Sequence, residues 1–424
     1  MLRRSPALLA ALVLAPTLCI AVPLAAHGQQ EAQATKPAAK PRAPAGHKGA
    51  GGSPKAGLPT DALPPSQIGI GTLARYAYLI DATTDAVLLF KDADKAMLPS
   101  SMAKMMTVYL VFEELKAGKL RPDTKFRVSE RARSMGGSRM FVEINSEISV
   151  DDLVKGVITL SGNDACVVLA EGMSGTEETF AARMTKRARE LGMTGSVFKN
   201  ASGWPTEGMY VTARDLAVLA KRTIEDFPEY YRYYALTEFT WNNIRQENRN
   251  RLLGMTLGTD GLKTGHSEEA GYGLTASTVR EGRRLILVVN GLPDMKTRAS
   301  ESARLMEWGF REYSNKVAFR AGETVAQADV WLGEVGKVPL VGAKPIAATV
   351  PVGQEAGVRM KVEYTGPVAA PIRRGDQIGK AIVQAAPGAQ PVEIPLYAGA
   401  DVPRLGPVGR AFGVLKHYLF GWMS

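Results

Sequence analysis

A hydroxyl and an amine one helical turn apart make a nucleophile with a candidate base. Ser101 and Lys104, in Pro99-Ser-Ser101-Met-Ala-Lys104-Met-Met-Thr107, have that spacing and share a face if the stretch is helical. A helix start there would also favour negative charge as it develops. Ser-x-x-Lys recurs at Ser196 to Lys199, and either copy alone is equally an ordinary helix-start serine. Two further strings, in order along the chain, set the first copy apart. Ser161-Gly162-Asn163 lies 60 residues after Ser101, and Lys263-Thr264-Gly265-His266 begins 102 residues after Ser161. Ser-x-Asn and Lys-Thr-Gly each occur once in the chain.

The rest of the chemical inventory narrows the choice. The four histidines are His27, His47, His266 and His417. Only His266 falls within a segment expected to fold, which argues against a zinc site built from His or Cys. A Ser-His-Asp triad would have to use His266, directly after Lys-Thr-Gly. Serine chemistry here therefore points to a lysine base, with no metal and no cofactor. The net charge of +10 is not a nucleic-acid signature. Residues 1–68 carry seven basic and two acidic side chains, half of the excess, and no Lys/Arg run is interleaved with aromatics.

The elements that must position these residues can be read in order along 424 residues, enough for two or three domains. Residues 1–28 read as a signal peptide. Arg3 and Arg4 precede an apolar run from Ala7 to Ala26, and Ala26-x-Gly28 is a small-x-small cleavage site. An uncleaved anchor is the rival, since 20 apolar residues can span a bilayer. Cleavage would remove Cys19 and leave Cys166 with no disulfide partner. Residues 29–67, rich in Ala, Pro, Gly and Lys, cannot bury a core and read as a tether.

Structure is expected from Ile68. Arg75 to Ile80 and Ala86 to Lys91 form a hairpin, and the Ser101 helix runs on to about Lys116. The polar segment around Met135-Gly136-Gly137-Ser138 suits a cleft rim. Ser149-Val150-Asp151-Asp152 opens a helix that ends near Leu160, so Ser161 and Asn163 fall between two helices. Helices over Glu177 to Leu191 and Ala213 to Asp226 come next, then a strand over Glu238 to Ile244. Gly261 to His266 is a strand, Gly271 to Thr278 and Arg284 to Asn290 are a hairpin, and Arg298 to Tyr313 is a closing helix. This order predicts an α+β unit over 68–316, an antiparallel sheet with a helical block beside it. Turn-rich residues 317–400 suit a small all-β sandwich. Residues 401–424 end in an amphipathic helix, with Val408, Ala411, Phe412, Leu415, Leu419 and Trp422 on one face. It suits a membrane interface, the rival being a helix packed on its own domain.

Ser-x-x-Lys, Ser-x-Asn and Lys-Thr-Gly in this order resemble the motif set of penicillin-binding proteins and class A β-lactamases. From Ile68 onward the chain is similar to the low-molecular-mass D-alanyl-D-alanine carboxypeptidases. Asp260-Gly-Leu-Lys263-Thr-Gly-His266, Ala270-Gly-Tyr272, Asn200-Ala-Ser-Gly203 and Thr212-Ala-Arg-Asp215 carry the likeness further. The resemblance implies a β-lactamase-like catalytic domain, a C-terminal β domain and an anchoring helix. It implies that Ser101 is acylated by the penultimate D-alanine of a peptidoglycan stem peptide. Lys104, kept neutral by partial burial and nearby Lys263, would be the base, with Ser161 relaying a proton and Asn163 ordering Lys104. Lys263, Thr264, Gly265, His266 and Arg249 would bind substrate, the backbone N–H groups of Ser101 and His266 forming the oxyanion hole. β-Lactams would trap Ser101. The place of action would be the periplasmic face of the inner membrane, with the protein held peripherally.

A D-alanyl endopeptidase shares these motifs. A class A β-lactamase would need a Glu-x-x-x-Asn pattern shortly after the second motif, and the pattern found, Glu238 to Asn242, lies 75 residues past Asn163. A non-catalytic wall-binding scaffold is the reading from another class.

Overall fold

The computed structural model describes residues 67–386 and 391–420. The signal-peptide reading of 1–28, Cys19 and nearly all of the tether lie outside the described residues.

In chain order the first unit contains β1 (Gln67–Ile68), β2 (Tyr76–Asp81), β3 (Val87–Lys91), α1 (Lys104–Lys116), β4 (Lys125–Arg127), α2 (Glu130–Ser134), β5 (Glu147–Ser149), α3 (Val150–Ile158), α4 (Asn163–Ser174) and α5 (Glu177–Glu190). It continues with α6 (Ala213–Asp226), α7 (Pro228–Tyr231), β6 (Glu238–Trp241), β7 (Ile244–Glu247), α8 (Leu252–Met255), β8 (Thr259–Ser267), β9 (Gly271–Arg280), β10 (Arg283–Leu292) and α9 (Met295–Glu312).

A six-stranded antiparallel sheet runs β1-β3-β2-β10-β9-β8. Successive side chains of a strand point to opposite faces, and β2 and β10 divide accordingly. Tyr78, Ile80, Ile286 and Val288 enter the core shared with the helical block. Ala77, Leu79, Leu285, Leu287 and Val289 pack with Leu305, Met306 and Trp308 of α9. A sheet covered on both faces reads as unbroken apolar sequence, as Leu285 to Val289 does.

Helix α1 is buried on nearly every side, from Lys104 through Phe112 and again at Leu115. This is why its sequence shows an apolar run and no stripe. Two helix starts follow the sequence signals: Ser149 accepts from Asp152 N at 3.1 Å and Thr212 from Asp215 N at 3.0 Å. The closing helix, expected from Arg298, begins at Met295, where Asp294 accepts from Thr297 N at 2.8 Å.

The stretch expected to be a single strand over Glu238 to Ile244 is instead the β6–β7 hairpin, turning at Asn242 and Asn243 with φ of 47° and 60°. Two consecutive left-handed residues make a tight hairpin turn, a conformation that Asn tolerates.

The second unit is all-β. β11 (Tyr313–Phe319) follows α9 directly, so this unit begins four residues before the boundary expected at 317. Then come β12 (Thr324–Trp331), β13 (Lys337–Gly342), β14 (Ile346–Pro351), β15 (Arg359–Tyr364), β16 (Val368–Ala369), β17 (Gln377–Gln384) and β18 (Val392–Ala398). A six-stranded sheet, β15-β17-β18-β13-β12-β16, and the β11–β14 pair enclose one apolar core around Leu340, Ile346, Val350 and Leu396. Helix α10 (Pro407–Phe420) ends the described chain. Val408 and Leu415 on it are exposed.

Candidate active site

Ser101 lies in a 3-10 turn, Ser100–Ala103, that leads into α1. Ser100 enters the turn with φ of 46°, left-handed backbone that non-glycine residues rarely adopt. Two glycines of the sheet make room for the turn. A Cβ on Gly265 would lie 2.9 Å from Pro99 O, and one on Gly273 would lie 2.7 Å from Met102 Cε. Gly265 and Gly273 face each other across β8 and β9.

Lys104 opens α1 and is completely buried. Its Nζ donates to Ser101 Oγ at 2.8 Å, Asn163 Oδ1 at 2.7 Å and the Ser202 carbonyl at 2.6 Å. Burial penalises the charged form and holds its pKa at about 8. The Arg249 guanidinium pushes in the same direction, while Cys166 and Asp164 oppose it. Partial burial beside Lys263 is thus corrected: burial is complete and is the main cause.

Ser161, 1% exposed, sits in the α3–α4 connection with φ of 59°. That backbone turn carries its hydroxyl to Lys263 Nζ, which donates to it at 3.0 Å and also to Thr264 O at 3.2 Å. Burial, then the Lys104 charge, push Lys263 well below its ordinary value. Asn163 donates from Nδ2 to Gly136 O at 2.8 Å, which turns Oδ1 towards Lys104. Three segments distant in sequence therefore meet in two hydroxyl–amine pairs, Ser101–Lys104 and Ser161–Lys263.

Arg249 donates from Nη1 to Ser138 Oγ, and its carbonyl accepts from Arg298 Nη2 at 3.1 Å. Arg298, on α9, is only 4% exposed, and burial lowers it to about 10. The sequence reading missed this residue, because a lone arginine near a helix start carries no pattern. Arg249, Arg298 and Lys263 donate to hydroxyl and carbonyl oxygens and, among the described residues, to no carboxylate. Two buried cations, Lys263 and Arg298, with the exposed Arg249 beside them and no carboxylate bonded to any of the three, prepare a site for an anion. Thr264 is buried beside them, whereas His266 is exposed with its ring stacked on Tyr272 at 3.9 Å.

A cleft of about 560 Å³ opens onto Ser101, Asn163 and His266 and is lined also by Ser202, Trp204 and Glu268. Gly137 and Ser138 form part of its rim, as their turn-rich sequence suggested. Asp164, also missed, holds that rim in place. Its carboxylate accepts from the backbone of Met140 at 2.8 Å, Phe141 at 2.8 Å and Val142 at 3.2 Å. The second Ser-x-x-Lys does not join the site. Ser196 is buried with its hydroxyl donating to Asp215 Oδ2 at 2.6 Å, and Lys199 is exposed.

Residues 65–293 match the family model for D-alanyl-D-alanine carboxypeptidases, and residues 313–404 match that for the C-terminal domain of penicillin-binding protein 5. The chain belongs to the D-alanyl-D-alanine carboxypeptidase family. It is similar to the carboxypeptidase DacC of Escherichia coli, 37% identical over 363 residues that cover 83% of this chain and 90% of the relative. It is likewise 37% identical over 349 residues to DacA of Haemophilus influenzae, covering 80% and 87%. Penicillin-binding protein 5 from H. influenzae superposes with a TM-score of 0.72 at 34% identity, over 81% of this chain and all of that one. Penicillin-binding protein D2 from Listeria monocytogenes, in its ampicillin-bound form, superposes at 0.52 and 30% identity over 56% of this chain and 97% of its own. The carboxypeptidase is a serine-type hydrolase.

Proposed function

We propose that Ser101 is the nucleophile of this D-Ala-D-Ala carboxypeptidase and that Lys104 is its base. The observation that carries the reading is the 2.8 Å contact from a completely buried Lys104 Nζ to Ser101 Oγ. With a pKa of about 8, roughly one lysine in ten is neutral at pH 7. That neutral amine takes the Ser101 proton while Oγ attacks the carbonyl of the penultimate D-alanine. The carbonyl oxygen becomes an oxyanion, received by the backbone N–H groups of Ser101 and His266. As the intermediate collapses, the C–N bond breaks, and the departing D-alanine amine takes a proton through Ser161. Water then hydrolyses the ester and restores Ser101.

Lys263, Thr264 and Arg249 hold the terminal carboxylate, which supplies the counter-ion that these cations lack. A β-lactam presents the same carboxylate beside a strained amide, so it acylates Ser101 by the same steps. Glu238, the glutamate of the β-lactamase reading, pairs with Arg245 on the exposed β6–β7 hairpin, a position that supports the peptidase instead.

A peptidoglycan stem pentapeptide as substrate supports the cell envelope as the place of action. The leader over 1–28 supports export, and the exposed Val408 and Leu415 of α10 support attachment of its apolar face to the periplasmic face of the inner membrane. Among the described residues no helix is long and apolar enough to cross a membrane.

The test uses the protein from residue 29, wild type against Ser101→Ala. Labelling by a fluorescent penicillin and release of D-alanine from diacetyl-Lys-D-Ala-D-Ala should both occur in the wild type and both vanish in the variant. A folded wild type that takes no label refutes the assignment.

A further inference from the structure

Lys104 Nζ has three neighbours, and only one of them can face a lone pair. An ammonium has three N–H donors, and a neutral amine has two donors and one lone pair. Asn163 Oδ1 and the Ser202 carbonyl are acceptors and nothing else, at 2.7 and 2.6 Å. When Lys104 is neutral they take its two N–H groups, and the lone pair is left pointing at Ser101. A base needs its lone pair on the proton it removes, so these two acceptors aim it. The Asn163 side chain is in the recognised motif. The Ser202 carbonyl belongs to the Asn200-Ala-Ser-Gly203 loop, outside all three motifs.

That carbonyl is one end of the peptide plane between Ser202 and Gly203. The other end, the Gly203 N–H, points the opposite way, as a trans peptide requires, and donates to Asn200 Oδ1 at 2.7 Å. The same oxygen accepts from Trp204 N at 3.1 Å and Ser202 N at 3.2 Å. Asn200 Nδ2 closes the loop from the far side, donating to Trp204 O at 2.8 Å and Thr206 Oγ1 at 2.9 Å. Asn200 is 9% exposed, so little water competes for these bonds. Ala201 is tied separately, its N–H to Glu177 Oε1 at 3.0 Å and its carbonyl to Thr107 Oγ1 at 2.6 Å. Those contacts fix the loop one residue earlier and leave the 202–203 plane free to rotate. On the outer side Gly203 has φ of +79°, and a Cβ there would lie 1.8 Å from Ser100 O.

We infer that Asn200 is a positioning residue, which fixes the Ser202–Gly203 peptide plane so that the Ser202 carbonyl and Asn163 together direct the Lys104 lone pair at Ser101. The inference rests on the Ser101–Lys104 reading and adds a residue that touches neither. Asn200 acts through one peptide bond.

The test is the pH profile of the second-order acylation rate with a chromogenic cephalosporin, for wild type, Asn200→Ala and Asn200→Asp. The titratable and charged groups around Lys104 are Cys166 and Asp164 on α4, Lys263 on β8 and Arg249 before α8, and all are untouched by these variants. Asn200→Ala lets the carbonyl turn away. The plateau should fall by about 10²-fold, the usual cost of a misaligned reacting group. The rising limb should move to lower pH, because the ammonium loses an acceptor that favours the charged form. Asn200→Asp keeps the acceptor. It should keep most of the plateau, and its added negative charge should move the limb to higher pH. An Asn200→Ala plateau equal to wild type overturns the inference. So does a limb that moves up in that variant, since entry of water would relieve burial. If Asn200→Ala does not fold, loss of the plateau in Asn200→Asp overturns it. Failure of the wild type itself to acylate refutes the Ser101 reading instead.

Discussion

Lys263 donates from Nζ to the Ser161 hydroxyl at 3.0 Å, and both side chains are buried. The lysine is therefore already oriented before any substrate carboxylate arrives. Lys263→Ala should lower kcat/KM by about 10- to 100-fold, the worth of one charge-assisted hydrogen bond. The same variant should stop discriminating between a substrate with a free terminal carboxylate and its C-terminal amide. Steady-state kinetics on that pair of peptides checks both statements.

Acylation should rise with pH and reach half its plateau near pH 8, because Lys104 works as a base only when it has lost its proton. Lys104→Met should lose about 10²- to 10⁴-fold in acylation rate. Stability carries the same signature. The folded value of about 8 lies below the 10.5 of the unfolded chain, so between these limits the unfolded state binds more protons. Relative to Lys104→Met, the wild type should gain stability as pH rises from 8 to 10.5. Urea unfolding of both proteins at the two ends of that window measures it.

Gly137 and Gly118 have nearly the same backbone, φ of 71° and 69°, but different surroundings. A Cβ on Gly137 would lie 2.9 Å from Asn163 Nδ2 and 3.1 Å from the Trp204 ring, whereas Gly118 has open space. Both alanine variants should lose about 1 kcal/mol from left-handed strain. Only Gly137→Ala should slow acylation, by displacing the amide that holds Lys104. Thermal unfolding and penicillin labelling separate the two effects.

Asp164→Ala removes the acceptor for three backbone N–H groups of the 140–142 segment. Leaving buried donors unpaired should cost about 3 kcal/mol. The rim over Ser138 should loosen, and with it the Arg249 contact, so KM should rise more than kcat falls. Denaturant midpoints and peptide kinetics would show both.

Cys166 lies on α4, fully buried, and burial pushes its thiol up to about 12. At pH 8 only about one thiol in 10⁴ is ionised. In protein starting at residue 29, a thiol-reactive disulfide reagent should label Cys166 after unfolding in denaturant and leave the native enzyme unlabelled over the same time. Rapid labelling of the native state would contradict the packing described for α4.

Much of this site could be read from the sequence because its chemistry is written in three short strings. Each string sits on an element that its neighbours help to place: the start of α1, the α3–α4 turn and β8, the strand before the β9–β10 hairpin. The sheet was legible where β2 and β10 are apolar runs bounded by turn residues. Asp164 and Arg298 were not legible. Each acts by hydrogen bonds to backbone outside its own element, and a side chain that serves such backbone leaves no spacing to detect. The β6–β7 hairpin was missed because two asparagines between short polar strands resemble one longer strand until the left-handed pair closes the turn.

The order of strands in the sheet has a consequence for when activity can appear. β2, near the start of the folded chain, takes β10 as its neighbour, with Val288 opposite Tyr78 and Leu287 opposite Leu79. Lys263 reaches the cleft through β8, which is held to β2 only by way of β9 and β10. A growing polypeptide therefore places Ser101 beside Lys104 early, on a single turn, yet has no cleft until residue 292 has been made and β10 has slotted in. Pairing of such distant segments is slow compared with local helix formation. The serine and its lysine are thus neighbours in the chain long before the enzyme is complete, and an unfinished chain carries a serine whose base is not yet buried or aimed and that has nothing to hold a substrate against it.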